Sequence, residues 1–309
     1  MLESTFMKAS LTTSLLTAIL IGCAPQLSAQ KKNQVPDVAG ASAVEVYKTA
    51  SDWDLKLWIF NPEGHKPEDK RPAIVFFFGG GWNGGTPNQF QQHAQYLASR
   101  GMVAAVADYR VKSRQGTSPF ECVADGKSAV RYLRKNAARL GIDPDRIAAG
   151  GGSAGGHVAA TTGIVPGLDE KGEDASISSK SNALVLFNPV YDNGPKGYGN
   201  SRLGDRWKEI SPAHNIQEGC PPAIVFLGDR DSLIPVPTAD SFKEKMEKVG
   251  SKSVLHVFEG QAHGFFNQKK GGAEIFLKTL AQMDAFLVEI GYLTGKSSDE
   301  LRKAVLAGE

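Results

Sequence analysis

Cysteine is scarce, with three in 309 residues, and no Cys-x-x-Cys pair or Cys/His cluster accompanies them. This argues against a structural metal site and against a disulfide scaffold, which a chain of this size does not need for stability. Cys122 and Cys220 are therefore expected to be free, buried thiols. Excess charge is also missing: the net value is +2 and the basic residues are scattered, so nothing favours nucleic acid as a partner. No apolar run reaches membrane-spanning length free of turn signals.

The sequence does carry an N-terminal targeting pattern. In "MKASLTTSLLTAILIGCAPQLSAQKK" a lysine precedes an apolar stretch from Leu11 to Ile21, followed by small residues. This predicts an export signal over residues 1–29, with Met7 as an alternative start. Two processing sites compete, a lipobox-like "LIGC" ending at Cys23 and a signal-peptidase-like "LSA" ending at Ala29. The expected location is periplasmic or secreted, or the outer membrane if Cys23 carries lipid. Residues 30–43 read as a flexible lead-in.

From residue 44 to 309 the pattern is that of one α/β domain. "AVEVYK" and "DLKLWIF" alternate apolar and polar residues, as half-exposed antiparallel strands do. "AIVFFF", "MVAAVA", "RIAAGG", "ALVLF", "AIVFLG" and "VLHVF" are short continuous apolar runs, expected of strands buried on both faces. Helical patterns between them close on Gly101, Gly141, Gly250 and Gly291. The alternation predicts a doubly wound, mostly parallel sheet with an antiparallel N-terminal pair. Residues 165–182 and 191–210 read as insertions. The first is polar enough to be a disordered surface loop, and the second is expected over the carboxyl ends of the strands.

Gly151-Gly152-Ser153-Ala154-Gly155 fits G-x-S-x-G between a strand and a helix. In that context the turn is tight, the flanking residues must be nearly free of side chain, and the serine hydroxyl stands above the sheet. A serine needs a base, and the base an orienting acid. Of the six histidines, His65 and His93 precede the serine and His157 shares its helix. His214 lies before the best acid and His256 lies inside a strand. His263, on a loop past the last strand, is left as the base. "GDRD" after the preceding strand offers two aspartates. Asp231, reaching further beyond the strand end, is the expected acid, Asp229 a turn residue and Asp192 a distant third.

With a nucleophile in place, "VFFFGGGWNGG" over residues 75–85 reads as an oxyanion loop. It lacks the lysine of a Walker loop and the register of a dinucleotide loop. The expected donors are the backbone N–H groups of Gly80, Gly81 and Ala154. Trp82, Tyr191, Tyr198 and Trp207 are expected near the cleft, with Trp82, Tyr191 and Trp207 as substrate contacts.

Together, "FFFGGGW", "ADYR", the segment from "ADGKSAV" through "GGGSAGGH", "SPAHNI", "GDRDSLIPV" and "AHGF" make the chain resemble an α/β-hydrolase of the esterase/lipase type. It is similar to the hormone-sensitive-lipase-like and bifunctional acetylxylan/feruloyl-esterase-like groups, from about Val44 to Tyr292. The resemblance implies a serine esterase needing no metal or cofactor, with its acid on the late-strand loop and its base in the His-Gly-Phe segment. It also implies a structural ion pair of Asp125 and Arg131 near the elbow. One position departs: the related loop begins His-Gly-Gly-Gly, and here Phe78 stands first. The expected substrates are acetyl or feruloyl esters on polysaccharide. A small-acyl carboxylesterase is the alternative within the class, and an inactive cell-surface binding module the alternative outside it.

Overall fold

The apolar runs form a sheet whose two faces are separated by the pleat. The computed structural model describes residues 1–2, 35–296 and 298–307, and Val35–Glu309 forms one compact unit. The expected export signal and Cys23 lie outside the described residues. Eight strands run in order: β1 Ala43–Ala50, β2 Trp53–Phe60, β3 Arg71–Phe77, β4 Val103–Ala107, β5 Ile142–Gly152, β6 Ala183–Phe187, β7 Ala223–Gly228 and β8 Ser253–Phe258. Their spatial order is β1-β2-β4-β3-β5-β6-β7-β8. β1 and β2 pair antiparallel, β2 meets β4 antiparallel, and β3 through β8 are parallel.

Successive side chains of a strand face opposite sides, so β3 feeds two cores. Ala73, Val75 and Phe77 enter one apolar cluster, Ile74 and Phe76 the other. Eight helices are described: α1 Gln91–Ser99, α2 Lys112–Gln115, α3 Pro119–Lys135, α4 Ala154–Ile164, α5 Asn200–Leu203, α6 Val236–Lys248, α7 Gln268–Glu289 and α8 Asp299–Ala307. None of them is long and apolar enough to cross a membrane. The fold is the expected α/β-hydrolase architecture.

Several local readings change. β8 is an edge strand, half-exposed rather than buried on both faces, with Val257 45% accessible. α3 starts at Pro119, where Ser118 and Glu121 close a capping box around its first turn. It stops at Lys135, well before Gly141. The helical pattern that runs to Gly291 starts at Gly272, where α7 kinks with φ 82° and ψ 168° after an additional turn from Gln268.

Residues 165–182 contain neither helix nor strand, yet ion pairs tie them down. Asp169 and Glu173 hold Arg131, while Glu170 meets Lys48 and Arg110. The pair implied by the resemblance is thereby corrected. Asp125, fully buried, pairs with Lys48 at 2.6 Å and Arg110 at 2.7 Å, and Arg131 is held by the loop. Cys122 and Cys220 are both free and buried.

Candidate active site

The centre of the site is the turn that joins β5 to α4. Ser153 has φ 54° and ψ −120°, a conformation that costs an L-residue of order 1–3 kcal/mol. Neighbours fix the turn from both sides: Ser153 N–H donates to Phe187 O at 2.9 Å, and its carbonyl accepts from Val190 N–H at 3.1 Å. Gly155 is required by space alone, since a Cβ there would sit 2.1 Å from the carbonyl oxygen of Phe77.

The three residues expected to act together meet here. His263 Nε2 lies 2.8 Å from Ser153 Oγ, and His263 Nδ1 lies 2.7 Å from Asp231 Oδ2. A carboxylate only accepts, so Nδ1 carries the proton and Nε2 is free to accept from the serine hydroxyl. Asp231 has a fully buried side chain. Its other oxygen accepts from the N–H groups of Leu233 at 2.9 Å and Ile234 at 3.0 Å, which fixes the carboxylate. Asp229 is exposed, with its N–H bound to Phe258 O, while Asp192 accepts from Gly194 N–H at 2.7 Å.

The remaining histidines are engaged elsewhere. His157 Nε2–H donates to Ile210 O at 2.9 Å, and burial pushes its pKa down to about 4. His256 stacks on Phe226, and His214 Nδ1 sits 2.9 Å from Ser211 Oγ. His93 lies among the rings of Phe76, Phe90, Phe187, Phe266 and Phe276, where burial lowers its pKa to about 3.

The loop expected to hold the oxyanion follows β3. Gly80 has φ 138°, open only to glycine, and a Cβ there would lie 2.1 Å from Gly84 O. Its carbonyl accepts from the N–H groups of both Asn83 at 3.0 Å and Gly84 at 3.2 Å. These two bonds polarise the peptide that carries the Gly81 N–H. Among the described residues, no protein acceptor takes the N–H of Gly80 or Gly81. Ala154 opens α4, so its N–H has no acceptor within the helix. Gly79 N–H, by contrast, is held by Gln89 Oε1 at 2.5 Å.

Phe78 stacks on Tyr109 with centroids 4.2 Å apart, and Tyr109 Oη–H donates to the Phe78 carbonyl at 2.6 Å. The ring that replaces the related histidine is therefore a buried anchor rather than part of the site floor.

The aromatic residues expected to hold substrate divide differently. Tyr191 is 0% exposed and stacks on Phe242 at 4.7 Å, which makes it core. Trp82 is 2% exposed, edge-on to His157 at 5.1 Å, so no ring face is left for a ligand. Trp207 is half-buried against the small cluster of Val123, Leu203 and Ile210 and lies edge-on to His214 at 4.8 Å.

Tyr198 packs against the loop, its hydroxyl 3.1 Å from where a Cβ of Gly81 would be. Three residues were not legible in advance. Gln89 and Arg202 brace the glycine loop after β3, Arg202 donating to Gly81 O at 2.6 Å while lying over the Trp82 and Tyr198 rings. Asn188 accepts from Gly264 N–H at 2.9 Å and so holds the histidine loop. No sequence motif marks them, because each acts on backbone groups far away along the chain.

The chain matches the BD-FAE family over residues 57–194 and the dienelactone hydrolase family over residues 196–291. Esterase LipC of Mycobacterium tuberculosis is 29% identical over 64% of this chain and 54% of its own. Endo-1,4-beta-xylanase B of Butyrivibrio fibrisolvens is 26% identical over 67% of this chain and 36% of its own. The chain spans about half the length of the curated relatives it matches. Among solved structures, esterase 2 of Thermogutta terrifontis superposes with a TM-score of 0.81 and 50% identity. That alignment covers 84% of this chain and 98% of that one. Forms of that esterase have been solved bound to propionate or butyrate and phosphorylated by paraoxon. Half of all aligned positions are shared across nearly the full length of a solved esterase, on a common sheet, and this chain accordingly belongs to the α/β-hydrolase esterases, the carboxylic ester hydrolases of that fold.

Proposed function

We propose that the protein hydrolyses carboxylic esters, acetyl or feruloyl groups on carbohydrate, by a two-step acyl-enzyme route on Ser153. The observation that carries the mechanism is the relay from Ser153 Oγ to His263 Nε2 at 2.8 Å and from His263 Nδ1 to Asp231 at 2.7 Å. Ser153 attacks the ester carbonyl as His263 takes its proton, and Asp231 stabilises the imidazolium. The oxyanion is held by the N–H groups of Gly80, Gly81 and Ala154. His263 then returns the proton to the departing alkoxide. Water, activated by the same imidazole, releases the acid and restores the serine.

A short acyl group is supported by the propionate and butyrate forms of the related esterase. Carbohydrate is supported by the match to BD-FAE and by the likeness to part of a xylanase polypeptide. Export by the N-terminal segment belongs to the same reading, since polymeric substrates lie outside the cell.

Paraoxon tests the mechanism directly. Ser153 Oγ forms a bond to phosphorus and p-nitrophenolate leaves. Activity should vanish as one equivalent of p-nitrophenolate appears, with the added mass on the peptide carrying Ser153. The Ser153→Ala protein should release none; modification elsewhere, or retained hydrolysis by that variant, would defeat the proposal.

A further inference from the structure

A cleft of about 820 Å³ reaches Gly79, which packs against the serine, and carboxamides predominate among its polar walls. Asn88, Gln89, Gln92, Gln95, Asn267 and Gln268 line it, and Lys269 is the one lysine, arginine or carboxylate side chain among its described lining residues. A carboxamide offers donor and acceptor together and carries no charge. A row of them suits a ligand whose hydroxyls both donate and accept. It does not suit an acyl chain, which wants an apolar wall, or an ionised group, which wants an opposite charge.

The cleft also sits on a particular side of the reaction. Among its lining residues is Gly79, where a Cβ would lie 3.3 Å from Ser153 Cβ and 3.4 Å from Gln89 Oε1. The opposite wall is the chain that follows His263, with Asn267 tied back to Gly264 O at 2.8 Å and Gln268 to Gln92 at 3.2 Å. His263 must hand the proton to the leaving oxygen, so the alcohol half of the ester has to depart along the histidine loop. A neutral, hydroxyl-matching cleft on that side belongs to the alcohol.

We propose that this cleft is the alcohol subsite and that it takes an uncharged polyhydroxylated alcohol, a glycosyl unit of the ester. The inference rests on the esterase mechanism above and goes beyond it by placing sugar recognition on α1 and the start of α7. The aromatic residues first expected to bind sugar have no part in it.

The test compares acetylated xylo-oligosaccharide with p-nitrophenyl acetate, which pass through the same acetyl-enzyme and differ only in alcohol. In a Gln92→Leu, Gln268→Leu double variant, kcat/KM for the sugar ester relative to p-nitrophenyl acetate should fall at least about tenfold. That is the size expected when one or two net hydrogen bonds are lost. The loss should appear in KM for the sugar ester. An unchanged ratio would overturn the subsite. As a second measurement on the unmodified protein, unesterified xylotriose should compete with p-nitrophenyl acetate. Absence of competition, or hydrolysis of p-nitrophenyl acetate with none of the sugar acetate, would also overturn the subsite while leaving the serine mechanism standing. Hydrolysis that survives Ser153→Ala would instead bring down the mechanism.

Discussion

Gln89 holds the amide of Gly79 through its side-chain oxygen at 2.5 Å. The next two residues supply the proposed oxyanion donors, so this bond sets the direction in which their N–H groups point. Replacing Gln89 with Leu keeps the bulk and removes the acceptor. The turnover number for p-nitrophenyl acetate is expected to fall about tenfold with little change in KM, less than the 10²–10³ typical of deleting a donor outright. Gln89→Glu restores an acceptor and should recover most of the loss. A mutant that changed KM alone would assign Gln89 to ground-state binding instead.

Ser153 stores strain at φ 54° and ψ −120°. Ser153→Gly should relieve it and raise the unfolding midpoint by about 2–6 °C, taking 1–3 kcal/mol of strain and the slope usual for a domain of this size. Hydrolysis should drop by at least about 10⁴-fold in the same protein. Stability and activity then move in opposite directions at one position, which differential scanning calorimetry and a p-nitrophenyl ester assay can read together.

The sheet, the elbow and the order serine, aspartate, histidine were readable because each is local. A buried strand is a short apolar run, and the G-x-S-x-G turn declares itself within five residues. Where sequence reading stopped short, the determinants were long-range. Trp82 and Tyr191 read as cleft residues from their positions after β3 and β6, but side-chain burial depends on what packs above. Gly199 and His157 close over Trp82, while Phe242 of α6 covers Tyr191. Gln89, Arg202 and Asn188 bind main-chain atoms 10, 121 and 76 residues away. The loop over residues 165–182 looked free because its acids are unremarkable locally, and their partners lie on β1, on α3 and just past β4.

Asp125 is a fully buried charge outside the site that ties β1 to the chain after β4. Its carboxylate is fully buried and receives Lys48 at 2.6 Å, Arg110 Nη2 at 2.7 Å and the Arg110 backbone N–H at 2.9 Å. Asp125→Ala leaves Glu170 as the carboxylate shared by both cations, and removing one partner of a buried ionic group costs about 3–5 kcal/mol. Urea unfolding should report that loss at pH 7. A change under 1 kcal/mol would mean that Glu170 alone satisfies both cations.

His93 and His157 make the fold sensitive to acid in a direction the structure determines. Burial holds their folded pKa values near about 3 and about 4, against an ordinary 6.5. Below about pH 6.5 the unfolded chain binds protons at these positions and the folded chain does not, so stability falls as pH drops. By pH 4 each histidine accounts for about 3 kcal/mol of that loss at 1.36 kcal/mol per unit. His93 is the cleaner probe, because neither ring nitrogen has a hydrogen-bond partner among the described residues and phenylalanine rings pack around it. His93→Leu should therefore remove its share without breaking a bond. Between pH 7 and pH 4 the variant should lose about 3 kcal/mol less unfolding free energy than the parent protein. Urea titrations of both proteins at the two pH values measure the difference, and parallel losses would show that His93 is protonated in the folded state.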